Sequence, residues 1–297
     1  MRGSGDGWTT CGRGHRHWGL FGAAGVLLHA FPDAGSPPGV AVDRILLQQR
    51  VCWSHHGGTW GIPGGARDDD ETVVAGALRE VAEETTLDPG RVQVEATYTD
   101  DHGGWTYTTV IGWADAEPAP RPRGPESDDL RWFAVAETDR LELHPGFGRT
   151  WPLLRPLDRS PRLVVDVANT MGSRPDGWWR DRAGAAARLR DQLAAVDSWP
   201  DPLLGRWLGR PGLEPLRRHC PVVLVVEGAA RELEPVPGVE VVAAPGSGDD
   251  AIVEVVGQGD DRPTLVVTAD RELRRRVEAL GAVPFGPRSL LDVLDGG

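Results

Sequence analysis

The chain has 297 residues, 26% of them charged, a formal net charge of −12, and no lysine among its basic residues. That length favours two compact units, each able to bury its own core. The acidic balance excludes non-specific duplex binding through a broad basic surface, and only arginine is present to clamp a phosphate. Cys11, Cys52 and Cys220 are odd in number and far apart, so they define no disulfide framework, and a reducing cytoplasm is the expected location. The N-terminal sequence lacks an apolar h-region with a cleavage site, and the apolar stretch 20–30 is too short to span a bilayer, so a soluble chain without a membrane partner is expected.

Residues 19–29 and 43–49 read as strands separated by the turn-rich PDAGSPPGV. A loop with His55 and His56 leads to Trp60-Gly61-Ile62-Pro63-Gly64-Gly65, and the spacing of Val74, Ala77, Leu78 and Val81 predicts a helix over 71–85. Strands are expected at 92–98 and 107–114, followed by the proline-rich AEPAPRPRGP and the apolar LRWFAV, with residues 151–157 closing the unit. Prolines and charges in RPLDRSPR mark a boundary, giving domains over 1–157 and 161–297. Beyond it, LVVDVA, VVLVVEG, VEVVAA and TLVVTAD alternate with helices expected at 180–196, 250–256 and 271–280, the pattern of a parallel sheet covered on both faces.

Glu80, Glu83 and Glu84 at i, i+3 and i+4 share one helical face. Alone, such a run is most often a solvated face. Crowded together, like charges about 4 Å apart repel by roughly 4 kcal/mol at an effective dielectric near 20, so the cluster calls for a cation. An all-oxygen set selects a hard ion, Mg²⁺ or Mn²⁺, which binds phosphate oxygens and activates water. Pro63-Gly64-Gly65 gives a turn without bulky side chains, letting the backbone approach metal and phosphate.

Gly65, Glu71, Arg79, Glu80, Val81, Glu83, Glu84 and Leu87 match G-x5-E-x7-R-E-U-x-E-E-x-G-U at every position but one, where Thr86 replaces glycine. The segment resembles the Nudix box. The resemblance implies a Nudix α/β/α sandwich, metal held at Gly65, Glu80, Glu83 and Glu84, and Glu71 pairing with Arg79 to orient the loop. A further downstream glutamate in the family assists metal or base chemistry, and Glu126 stands in the matching region with Asp128 and Asp129 as competitors. Trp60 is a candidate for stacking on a substrate base or for plugging the core. His55 and His56 are placed in an ordinary exposed loop. Cys11, His15 and His17 are soft metal ligands without the second cysteine pair of a structural zinc site, and no zinc is expected there.

In the second half, acids follow the apolar runs: Asp166, Glu227 and Asp270, with Asp249 and Asp250 beginning a helix. In a parallel sheet these ends share the edge where open α/β folds build sites. The arrangement resembles an NYN/PIN-like nuclease domain, doubly wound on a parallel sheet. Asp166 with Asn169, Asp249 with Asp250, and Asp270 match its acidic positions, and Glu227 stands where aspartate is commoner. The resemblance implies divalent metal and RNA as partners. The bland reading makes these acids turn formers and helix caps. Trp178, Trp179, Arg180 and Arg182 offer stacking and phosphate contacts, or an anchored loop and solvated helix start, the second being favoured.

The function expected is an Mg²⁺-dependent Nudix hydrolase cleaving the pyrophosphate of a nucleoside diphosphate linked to another moiety, or of an NTP. The alternatives are a metal-dependent ribonuclease in the second domain with the first as sensor or accessory, and a ligand-binding regulator without turnover.

Overall fold

The computed structural model describes residues 3–30, 43–114, 119–155, 157, 159–259 and 262–296. The turn PDAGSPPGV lies outside the described residues, as do the start of AEPAPRPRGP and two positions of RPLDRSPR. The chain forms two compact units, Met1–Leu157 and Asp158–Gly297. Among the described residues, no helix is long and apolar enough to cross a membrane.

The first unit opens with a small antiparallel hairpin, β1 (Trp8–Thr10) and β2 (Arg16–Trp18). Then come β3 (Ala23–Ala30), β4 (Arg44–Arg50), β5 (Trp60–Gly61), β6 (Gly64–Ala66), α1 (Val73–Glu84), β7 (Val92–Asp101), β8 (Thr106–Ala114), β9 (Ser127–Ala134) and α2 (Pro145–Leu154). A mixed sheet runs β7-β8-β3-β4-β5, with β6 on β3 and β9 on β4. β3 and β8 are parallel, from Ala23↔Tyr107 to Ala30↔Ala114, and the other pairings are antiparallel.

α1 starts at Val73 because Thr72 caps it, its side chain accepting from the Ala75 N–H at 3.1 Å. Its Ala77 and Val81 pack with Ala24, Val26, Leu28, Leu46 and Val110. Leu27, Ile45 and Leu47 alternate with these along the strands and are also fully buried, so both faces of the sheet are covered. The β4–β9 ladder breaks at its end: Gln49 faces Asp129, yet Arg50 faces Ser127, which leaves Asp128 as an extra, exposed residue.

The second unit contains β10 (Arg162–Asp166), α3 (Val167–Gly172), α4 (Arg182–Ala194), β11 (Trp199–Pro200), α5 (Asp201–Leu208), β12 (Leu216–Arg218), β13 (Val222–Val226), β14 (Val239–Ala243), α6 (Gly248–Gly257), β15 (Thr264–Val267), α7 (Arg271–Glu278), β16 (Val283–Phe285) and α8 (Pro287–Leu294). A five-stranded sheet ordered β14-β13-β10-β15-β16 is parallel throughout. Leu163, Val165, Leu224, Leu265 and Val267 join a core with residues of α3, α4, α5 and α8. Val164, Val223, Val225 and Val266 pack instead with α6 and α7. Continuous apolar strands therefore mark a sheet buried on both sides.

Several elements depart from the expected layout. LVVDVA is not one strand, because the Asp166 carboxylate accepts from the Asn169 N–H at 3.0 Å and starts α3 at Val167. The first hairpin, α3, α5, β16 and α8 were not anticipated. α6 begins at Gly248 after Ser247, so Asp250 lies inside its first turn and not at the cap.

The excursion 199–218 is organised by a buried ion pair: Arg218 Nε donates to Asp201 Oδ1 at 2.5 Å, with both side chains almost fully excluded from solvent. Asp201 Oδ2 also accepts from the Leu213 N–H at 2.8 Å. Asp201 Oδ1 also accepts from Arg210 at 3.4 Å, and deleting this carboxylate removes charge-assisted hydrogen bonds from a buried spot, so Asp201→Ala should destabilise the second unit by about 2–3 kcal/mol, measured as a lowered denaturant midpoint for that unit.

Candidate active site

The site is built where α1 runs beneath the β3–β6 pairing. Arg79 Nε donates to Glu71 Oε2 at 3.1 Å and Nη2 donates to Glu71 Oε1 at 2.7 Å, a two-pronged pair. The same guanidinium donates to the Ala66 carbonyl at 2.9 Å, to Glu80 Oε1 at 2.9 Å and to Glu83 Oε2 at 3.3 Å. Glu71 in turn accepts from the Asp68 N–H at 2.7 Å, and the Arg79 guanidinium holds its carboxyl below the ordinary value. Loop 66–71 is thus tied to the helix by one cation, which fits an orienting role for Glu71 and Arg79.

Glu84 Oε2 accepts from the Gly64 N–H at 3.0 Å, and Gln48 also donates to it. Burial pushes the Glu84 carboxyl up to about 7, against the Gly64 hydrogen bond, and the charges of Glu80 and Glu126 add to the rise. Burial likewise pushes Glu80 up to about 7, opposed by Arg79. Glu83 is mostly exposed. A Cβ on Gly65 would lie 2.6 Å from the Glu80 carboxyl carbon, so any larger residue here would push that carboxylate out of its present position.

One broad open cavity in this unit takes in Gln48, Arg50, Gly64, Gly65, Arg79, Glu80, Glu83, Glu84, Tyr107, Glu126 and His144. Glu126 reaches it. Asp128 is not part of its wall, and Asp129 is paired with Arg131. Trp60 is not part of it either: its ring meets Phe133 edge-on at 4.8 Å, and its backbone exchanges hydrogen bonds with Glu142 and His144. Of the two readings of Trp60, stacking on a base or plugging the core, the contact with Phe133 fits the second. His55 and His56 do line the cavity. Gln48, Arg50, Tyr107 and His144 escaped the sequence reading, since they come from β4, β8 and the start of α2 and no spacing ties them to the acids of α1.

The donor set suits a hard divalent cation: Glu80, Glu83, Glu84 and Glu126 line one cavity, Glu80 and Glu84 are partly desolvated, and Arg79 pairs with Glu80 and Glu83.

In the second unit the structure brings Asp166, Glu227, Asp249 and Asp270 to the carboxyl edge of the parallel sheet, close enough to act on one another's charge. Burial raises the Asp166 carboxyl, which accepts from Asn169 N–H and from the Thr268 hydroxyl at 2.9 Å. Asn169 Oδ1 accepts from the Ala269 N–H at 3.2 Å. Glu227 accepts from the Gly248 N–H at 3.0 Å, and Asp270 caps α7 through the Leu273 N–H at 2.8 Å. Asp250 is turned to Arg276 at 2.7 Å. Trp178 packs against the core with Arg182 over its ring at 5.3 Å, while Trp179 is exposed.

The NUDIX domain family model matches residues 39–154. A Mycobacterium tuberculosis protein named "Putative 8-oxo-dGTP diphosphatase 3" is 46% identical over 162 residues, covering 52% of this chain and 71% of its own length. A Bifidobacterium longum "Nucleoside triphosphate pyrophosphatase/Nudix hydrolase fusion protein" is 38% identical over 150 residues, 50% of this chain and 30% of that one. Among solved structures, a Nudix hydrolase from M. smegmatis, RenU, is 42% identical, covering 51% of this chain and 93% of that one with a TM-score of 0.45. The family match and the two curated relatives make this chain a hydrolase of phosphoanhydride bonds. The chain belongs to the Nudix hydrolase family, whose members use divalent metal ions.

Two outcomes follow from this geometry. Gly65→Ala should displace the Glu80 carboxyl and lower turnover by about 100-fold, the scale of a 1 Å misplacement, while the thermal midpoint barely moves. His144 caps α2 by accepting from the Gly146 N–H at Nδ1, 3.1 Å, which requires the neutral ring. Burial, and then the Arg50 charge, lower its pKa to about 4 from the ordinary 6.5. The unfolded chain therefore binds a proton that the folded chain resists, and this contribution to stability is intact above pH 6.5 and lost as pH falls toward 4. Thermal unfolding across that window should show the loss, and His144→Asn, an alternative cap, should flatten it.

Proposed function

We propose that the first unit cleaves the pyrophosphate of a nucleoside diphosphate linked to another moiety, nucleoside triphosphates included, with Mg²⁺ (or Mn²⁺) held by Gly65, Glu80, Glu83 and Glu84. The observation that carries this reading is the pair of half-buried, mutually repelling carboxylates Glu80 and Glu84 opening into one cavity with Glu83 and Glu126. The bound metal supplies charge neutralisation for the diphosphate and a water of lowered pKa. The protein's own contribution is positional: Arg79 fixes the Glu80 rotamer, the Gly64 N–H and Gln48 fix Glu84, and Glu126 is the carboxylate free to take a proton from water. Arg50, at the cavity wall, is the cation placed to bind a phosphate oxygen. The name of the mycobacterial relative makes an oxidised purine nucleoside triphosphate the first substrate to try.

Turnover across nucleotide classes should require Mg²⁺ or Mn²⁺ and fall to background in Glu83→Gln and Glu84→Gln. In Glu126→Gln, kcat should fall with KM little changed. Unchanged turnover in both helix variants would reject the assignment.

A second reading is favoured by the meeting of Asp166, Glu227, Asp249 and Asp270 at one sheet edge. On it the second unit is an NYN/PIN-like, metal-dependent ribonuclease. Asp166→Asn should then abolish metal-dependent cleavage of single-stranded RNA while nucleotide hydrolysis persists, and RNA left intact by the wild-type chain would remove this reading.

A further inference from the structure

Cys11, His15, His17 and His102 form the one group of three or more His, Cys, Asp and Glu side chains, among the described residues, whose ligand atoms all lie within 4.8 Å of one another. Cys11, His15 and His17 come from the β1–β2 hairpin. His102 comes from the turn between β7 and β8, which the hairpin reaches across space.

Cys11 is buried, and its N–H donates to the His15 carbonyl at 3.0 Å, closing a tight loop that presents thiol and imidazole together. His102 is 6% exposed, and its Nδ1 has no hydrogen-bond partner. Its Nε2 meets the Asp100 carboxylate at 3.0 Å. His17 Nε2 is also buried without a partner, while its ring stacks on Trp105 at 3.9 Å and stands edge-on to His102 at 4.8 Å.

Plain aromatic packing accounts for the stacking but not for two imidazole nitrogens turned inward, beside a thiol, with nothing to bond. Buried polar atoms are almost always satisfied, and an exception asks for a ligand. A carboxylate on the far nitrogen of an imidazole is the arrangement that fixes the ring and its tautomer for a metal on the near one. One thiolate and three imidazoles select a borderline-soft ion over Mg²⁺.

We propose that Cys11, His15, His17 and His102 bind one Zn²⁺ in a closed, four-ligand structural site, with Asp100 orienting His102. Binding takes the Cys11 thiolate, and its proton is released to solvent. Zinc–ligand bonds of about 2.0–2.3 Å in a tetrahedron put ligand atoms roughly 3.3–3.7 Å apart, so side-chain rotations of about an ångström bring the four atoms, which lie within 4.8 Å of one another, to that spacing. Backbone anchors already hold the two segments in register: Gly12 N–H donates to the Gly103 carbonyl, and Trp105 Nε1 to that of Gly19 at 2.9 Å. The ion would lock the hairpin as one wall of the cavity that holds the glutamates, since Trp8, Arg16 and Trp18 line that cavity too.

The full chain, made without a histidine tag, is dialysed with zinc and analysed for metal content, with Co²⁺ loaded in parallel as an optical probe. A single zinc per chain is expected, and Co²⁺ should give tetrahedral d–d absorption with a thiolate charge-transfer band. Cys11→Ser should lose the band, His102→Ala should lose stoichiometric binding, and Asp100→Asn should weaken affinity by about tenfold. The double variant Cys52→Ser/Cys220→Ser should retain band and zinc, as should Glu84→Gln, which separates this site from the carboxylate one. Should the ligand variants fail to fold, the double variant decides, because a thiolate band there arises only from Cys11. Absence of stoichiometric zinc in the wild-type chain, a cobalt spectrum without the thiolate band, or binding unaltered in Cys11→Ser and His102→Ala would each overturn the proposal.

Discussion

Partly burying Glu80 and Glu84 on one face of α1 costs free energy that fixed donors must offset, and the donor that serves Glu80 is the Arg79 guanidinium. Its five N–H groups reach the loop carbonyl of Ala66, the loop acid Glu71, and Glu80 and Glu83 on its own helix. A lysine at this position would supply one point charge and lack the planar fork that grips Glu71 at two atoms. The loop after β6, the helix and the sheet thereby become one rigid body, and the Gly64 N–H can address Glu84 from the opposite side. Burial, and after it the acids' mutual charge, raises the Glu80 and Glu84 carboxyls, opposed by Arg79 at Glu80 and by the Gly64 N–H and Gln48 at Glu84.

The second unit solves a similar crowding differently. Asp166 and Asp270 spend oxygens on helix N–H groups, and Asp250 is neutralised by Arg276. Capping was the bland expectation for such acids, and capping is observed. The two roles are compatible, because a carboxylate has more acceptor sites than a single cap uses.

What was legible in the sequence was whatever repeats locally. The helix over 71–85 was visible in the period of Val74, Ala77, Leu78 and Val81, and it runs from Val73 to Glu84 because Thr72 caps it and the Thr85 N–H closes back on the Val81 carbonyl. Buried Val and Leu runs announced the parallel sheet. Features made by tertiary meeting were not legible. For Trp60, stacking and core packing read alike in the sequence, and its edge-on contact with Phe133 on β9 is made only by the fold. Cys11, His15 and His17 looked incomplete as metal ligands because the fourth, His102, arrives from another strand turn. Gln48, Arg50 and His144 join the cavity only through the pairing of β4 and the position of α2. Short segments such as α3 and α5 were hidden because single residues, Asp166 and Asp201, decide their start and anchorage.

The irregular step at the end of the β4–β9 ladder bears on how many acids surround Glu84. Partners across a ladder share a face, and Gln48 opposite Leu130 faces α1. In an uninterrupted ladder Asp128 would stand opposite Arg50 on that face; the extra residue puts Ser127 there, hydrogen-bonded to Gln48, and expels Asp128 to solvent. Loss of one codon, that of Ser127, would restore the pairing frame and exchange a neutral hydroxyl for another anion beside the helix. The strand's phase thus acts as a valve on local charge, set by chain length at one position and independent of the side-chain chemistry on α1.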